Sequence, residues 1–212
     1  FPQEQIVAII HLMSPKEPYS YTYPYGDLEH GATDYYYVNY HNAILGAMHA
    51  VPNTKEAEYA AYWNSNVQPY QGSTLYEFLW RDPNVKQTDY RTSLSTNFYA
   101  PGLRFVLRRT DWTKDATYFG FQCKGPAADH MHADSLSFNI MRKGVWLTKE
   151  VSGYDASHTK FDNSLLLEYY LDRDKLRAMT GGPGGQAPYG WEKDCDFKHL
   201  DFGSHYTYTM GD

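Results

Sequence analysis

Ile6, Ile9, Ile10 and Met13 recur at i, i+3, i+4 and i+7, the spacing of one helix face. Ser14-Pro15 and Glu17-Pro18 end that helix, because a proline disfavours helical backbone at the residue before it. A loop rich in tyrosine and proline runs from Tyr19 to Asp27. Helical spacing resumes from Tyr36 to Ala50, with Val38, Ile44, Leu45 and Met48 as candidate core. Pro52-Asn53 breaks it, and Thr54 is placed to cap a further helix through Ala57, Ala60, Ala61 and Trp63. A last short helix carries Leu75, Phe78 and Leu79 between Gly72-Ser73 and Arg81-Asp82-Pro83.

Near residue 86 the period changes from 3.6 to two. Leu103 to Arg108 and Thr117 to Phe121 read as strands, joined by a turn at Asp111-Trp112 and Lys114-Asp115. Leu136, Phe138 and Ile140 alternate with Ser137, Asn139 and Met141. Arg142-Lys143-Gly144-Val145 reads as a tight turn into another strand. Ser164 to Tyr170 and His205 to Thr209 continue the same style. The expected plan is α+β, with residues 1–85 as helical hairpins and residues 86–212 as antiparallel β-structure. Gly181 to Gly185 lacks the lysine and following helix of a phosphate-binding loop, so it reads as a surface loop.

One segment carries candidate chemistry. His130, His132 and Asp134 stand at i, i+2 and i+4, which on a strand puts three side chains on one face. Converging imidazole and carboxylate suit a divalent metal or a pair of proton-transfer groups. Glu150, Gly153 and Tyr154 close the strand–turn–strand unit that follows.

Composition narrows the partners. The formal charge of −6 comes with acidic and basic residues interspersed and no basic stripe, so nucleic acid is not an expected partner. The small cluster Arg104, Arg108 and Arg109 remains a place for a polyanion. The 21 tyrosines offer apolar faces with polar tips, a chemistry that suits sugar clefts and ordinary packing alike. No run of about 18 apolar residues is present, so no membrane-spanning helix is expected. Cys123 and Cys195 have no partners at metal-ligand spacing, and spacing alone does not decide whether they pair. Neither terminus has the look of a natural chain end, and the chain reads as a piece of a longer protein.

Several motifs, in order, resemble the heparinase II/III-like polysaccharide lyases. They are Tyr25-Gly26-Asp27, then Arg108-Arg109-Thr110-Asp111-Trp112, then Gly125-Pro126 with His130-x-His132-Ala133-Asp134-x-x-Ser137-Phe138. Gly144-x-x-Leu147-x-x-Glu150-x-x-Gly153-Tyr154 and the strand Tyr206 to Asp212 complete the match. The resemblance implies the end of an α/α toroid followed by an antiparallel β-sandwich that is incomplete at the C-terminus. It implies β-elimination on an acidic, uronate-containing polysaccharide by a secreted or periplasmic enzyme. His130 and Tyr154 would line the cleft as acid–base residues. His132, Glu150 and Asp162 would hold a structural divalent metal, zinc by the resemblance, although such N/O ligands also suit Mn²⁺ or Ca²⁺. This chain departs from the family pattern in having Glu150 where an aspartate is usual and Asp162 where a histidine is usual. His158 is a nearby substitute ligand. The family's catalytic tyrosine in the toroid, with its asparagine or histidine partner, is expected upstream of this chain. Two other readings stay open: a carbohydrate-binding module without catalysis, and a cupin-like metal enzyme, whose pattern wants a glutamate where Leu136 and Ser135 stand.

Overall fold

The computed structural model describes residues 1–15, 21–25, 38–68, 74–123, 135–150, 162–164 and 195–211. The chain is α+β. Helices α1 (Pro2–Leu12), α2 (Val38–Ala50), α3 (Lys55–Tyr62) and α4 (Thr74–Trp80) come first. Strands β1 (Asn97–Ala100), β2 (Phe105–Arg109), β3 (Thr117–Gln122), β4 (Phe138–Arg142) and β5 (Val145–Thr148) form one antiparallel sheet in that order. Strands β6 (Phe197–Phe202) and β7 (Thr207–Gly211) form an antiparallel pair.

The periodic apolar face of α1 makes the helical core. Ile6, Ile9 and Ile10 are buried against Ile44, Leu45 and Met48 of α2 and Ala57, Ala60 and Trp63 at α3. Thr54 caps α3 by accepting the Ala57 N–H at 3.2 Å on its hydroxyl. After Tyr62 the helix widens to a π-turn over Trp63–Val67, which Gln68 closes with an N–H bond to the Trp63 carbonyl at 2.8 Å. In α4, Leu75, Phe78 and Leu79 face outward, with Phe78 83% exposed. The helix is anchored instead by Trp80 against Gly46 and by Glu77, whose carboxylate meets His41 Nε2 at 2.5 Å.

A second core joins α1 to the sheet through Leu12, Tyr23, Phe105, Leu107, Tyr118 and Met141. Met13 and Thr22 form a β-bridge that carries Tyr23 onto the sheet. There the Tyr23 ring lies over Gly120, and a Cβ on Gly120 would sit 2.0 Å from it, so only glycine fits. Arg109 is buried beneath the end of α1. It donates to the carbonyls of His11 at 3.1 Å and Met13 at 2.7 Å, which the helix leaves without internal partners. Its guanidinium also lies 4.2 Å from the centroid of Trp112 and 5.0 Å from that of Tyr118. The motif Arg109-Thr110-Asp111-Trp112 therefore builds the joint between helix and sheet. Asp111 accepts the Thr113 N–H at 2.7 Å, and the Trp112 indole N–H donates to the Leu94 carbonyl at 3.1 Å.

That placement corrects the expectation of a polyanion cluster at Arg104, Arg108 and Arg109. Arg109 is inside the protein, held by carbonyls and aromatic faces that replace its water. Arg108 reaches the β6–β7 pair, bonding the Tyr206 carbonyl, Thr207 Oγ1 at 2.8 Å and the Ser204 carbonyl at 3.1 Å. Arg104 donates to the Cys195 carbonyl at 2.8 Å.

Candidate functional site

The inward face of the sheet changes character along its length. Facing residues of an antiparallel pair share a side, so Tyr118 with Met141, then Gly120 with Asn139, then Gln122 beside Ser137 form successive rows. The first row is apolar and the last is amide and hydroxyl. Ser137, Asn139, Met141 and Gln122 are all buried. The half of the alternation that reads polar, Ser137 and Asn139, is thus the half turned inward. The apolar side chains of Phe138 and Ile140 are only half-buried.

This polar end of the sheet surrounds Glu150, which is 1% exposed. Its Oε2 accepts from Gln122 Nε2 at 3.2 Å and Ser137 Oγ at 3.4 Å. Its backbone N–H donates to Asn139 Oδ1 at 2.7 Å. The β4–β5 hairpin delivers Glu150 there. Lys143 and Gly144 hold positive φ of 52° and 73°, as a tight hairpin turn of the I′ kind needs. Asn163 donates from Nδ2 to the Phe138 carbonyl at 2.9 Å and to Asn139 Oδ1 at 3.3 Å. The adjacent Asp162 has both carboxylate oxygens buried. Glu150 and the Asp162–Asn163 turn thus meet at one asparagine.

His130, His132 and Tyr154, with Asp134 and His158, lie outside the described residues. What flanks them is described. Cys123 and Ser135 bound residues 124–134, and beside those ends the Leu136 N–H donates to the Gln122 carbonyl at 2.9 Å. Leu136 holds φ 63°, a left-handed conformation costing a residue with a β-carbon about 1–2 kcal/mol. Glu150 and Asp162 bound residues 151–161. Among the described residues, no three His, Cys, Asp or Glu side chains gather at metal-holding spacing. The carboxylates of Glu150 and Asp162 are hard oxygen donors at buried positions, and such donors fit Zn²⁺, Mn²⁺ or Ca²⁺. Gln122, Ser137, Asn139 and Asn163 support the site, a role that the sequence did not reveal for any of them. The signal at Ser137 and Asn139 was polarity at alternate positions of a strand that also carries apolar residues.

Cys123 and Cys195 form a disulfide with a Cα–Cα distance of 5.1 Å. It ties the end of β3, beside Gln122, to the start of β6. At the other end of β3 lies an open cleft of about 990 Å³, whose lining includes Asn66, Asp89, Arg91, Asp111, Trp112 and Lys114. Within it Arg91 is paired to Asp89 at 2.9 Å.

Comparison with solved structures places this arrangement. Heparan sulfate lyase HepC from Pedobacter heparinus aligns over 97% of this chain at 17% identity and a TM-score of 0.51. The heparinase III BT4657 gene product aligns over 98% at 14% identity and a TM-score of 0.55. The chain resembles heparan sulfate lyases in fold. It spans 27% of the length of either chain. No family model matches the sequence, and no curated protein matches it. No helix among the described residues is long and apolar enough to cross a membrane.

Proposed function

We propose that the chain is part of a polysaccharide lyase that cleaves a uronate-containing polysaccharide by β-elimination. The observation that carries this reading is the buried Glu150, fixed by Gln122, Ser137 and Asn139 beside the Asp162–Asn163 turn. It occurs in a chain whose fold resembles heparan sulfate lyases. In this reading the helices are the end of an α/α toroid and the sheets belong to a β-sandwich. His130 and Tyr154 exchange protons with the substrate, and His132, Glu150 and Asp162 hold a divalent metal, zinc by preference.

The residue roles follow from the reaction. The C5 proton of a uronate is weakly acidic, so the charge on its carboxylate must be neutralised before a base removes it. The electron pair left behind forms the C4–C5 double bond as the C4–O bond breaks. An acid protonates the departing oxygen. Imidazole at His130 and phenol at Tyr154 are groups able to take these roles. A tyrosine base needs nearby cations to lower its pKa from about 10. A divalent ion, when bound, supplies positive charge that holds the carboxylates of Glu150 and Asp162 together. The disulfide supports a secreted or periplasmic setting, where such bonds persist.

The test is turnover of the full-length protein on uronate polymers, followed by the ultraviolet absorbance of the unsaturated product. His130→Ala and Tyr154→Phe should each lower turnover by about 10²-fold or more and leave the circular dichroism unchanged. Near-normal rates in both variants would reject the site assignment, and no turnover by the wild-type protein on any uronate polymer would favour the binding module.

A further inference from the structure

Asn139 is bonded to the backbone of one proposed ligand and to the neighbour of another. Its Oδ1 accepts the Glu150 backbone N–H at 2.7 Å and the Asn163 Nδ2 hydrogen at 3.3 Å. Asn163 also donates to the Phe138 carbonyl at 2.9 Å, so the turn is pinned to β4 at two successive residues. Asn139 is fully buried in the row opposite Gly120, where the missing glycine side chain leaves the Tyr23 ring as neighbour. Among the described residues its Nδ2 finds no hydrogen-bond partner. A buried amide donor without a partner costs about 1–3 kcal/mol. Against that cost, its Oδ1 satisfies the buried Glu150 N–H, which a leucine would leave without an acceptor, so what the side chain offers is an acceptor shared by two chain segments.

We infer that Asn139 is a positioning residue, which sets Glu150 and Asp162 at the separation that a divalent metal ion requires. This rests on the proposed metal ligation by those two carboxylates. Residues that orient ligands from behind commonly change metal affinity by 10–100-fold when replaced. The acceptor is the working part, so aspartate, which keeps Oδ1, should serve where leucine does not.

The experiment is zinc affinity by chelator competition on the full-length protein, with thermal unfolding recorded with and without zinc. Asn139→Leu should weaken zinc binding by about 10–100-fold and shrink the zinc-induced rise in Tm. Asn139→Asp should restore affinity to within about 3-fold, below the smallest loss expected of a broken support. Equal affinity in wild type and Asn139→Leu, with only a uniform change in Tm, would show a purely structural residue and overturn the inference. If Asn139→Leu does not fold, Asn163→Ala takes its place. It removes one of the two donors and should weaken zinc binding by about 10-fold, the low end of such effects. Unchanged affinity there overturns the inference equally. A wild-type protein that takes up no divalent ion would overturn both the inference and the ligand assignment beneath it. Normal uptake with insensitive variants would overturn the inference alone.

Discussion

Breaking the Cys123–Cys195 disulfide should cost the protein about 4 kcal/mol. The bond joins residues 72 apart in sequence. His130, His132, Glu150, Tyr154 and Asp162 all fall inside the loop it closes. In the chain-entropy account, closing a loop of n residues removes about 2.1 + 1.5R ln n cal/mol/K from the unfolded state. For this loop that is about 15 cal/mol/K, or roughly 4.4 kcal/mol at 25 °C. The native side supports the bond independently. Cys123 donates its N–H to the Arg104 carbonyl at 3.0 Å, and Arg104 donates to the Cys195 carbonyl at 2.8 Å. The two sulfurs are thus held together by neighbours that remain after reduction. The perturbation is the double variant Cys123→Ala/Cys195→Ala, compared with wild type in urea. With a slope of about 2.5 kcal/mol per molar, the midpoint should fall by about 1.5–2 M. Thiol titration of the denatured wild-type protein should find no free thiol. A midpoint change below about 0.5 M would refute the loop argument, because it leaves little over 1 kcal/mol for a bond of this span.

Arg109→Met should destabilise the protein by about 2–4 kcal/mol. It removes two charge-assisted bonds to the end of α1 and the stacking on Trp112, partly offset by relief of a buried charge. Thermal unfolding measures it, and a loss under about 0.5 kcal/mol, the level of an ordinary surface change, would contradict the joint described. His11 carries a pH dependence. Burial, and secondarily the Arg109 charge, hold its pKa well below the usual imidazole value of about 6.5. The folded state therefore prefers the neutral ring. Its contribution to stability is complete above about pH 6.5 and is lost as the pH falls below that value. Replacing His11 with phenylalanine should flatten the decline in Tm between pH 7.5 and 5, and an unchanged slope would rule this out.

Much of the helical half was legible because burial there follows a single period. Ile6, Ile9, Ile10 and Met13 are all buried, and Thr54 caps the helix after it. Glycine at 144 likewise marked the hairpin turn. Period alone failed at α4, where Leu75, Phe78 and Leu79 share a helical face that points outward. It also gave no sense of direction in β4. A strand with one polar and one apolar side usually buries the apolar one. Here Ser137 and Asn139 go inside because Glu150 and Asn163 arrive from elsewhere in the chain to bond them. Such partners are distant in sequence, so no local pattern announces them. Arg109 shows the same thing: a charged residue reads as surface until the carbonyls at the end of α1 are brought to it.

The central claim is elimination rather than hydrolysis, and the product decides it. The full-length protein should be incubated with uronate polysaccharides in water enriched in ¹⁸O, and the fragments weighed by mass spectrometry. Elimination gives fragments lighter by one water than hydrolysis products, with an unsaturated uronate at the new non-reducing end and no ¹⁸O at the cleavage point. Fragments of hydrolytic mass carrying ¹⁸O, or no cleavage of any uronate polymer, would contradict it.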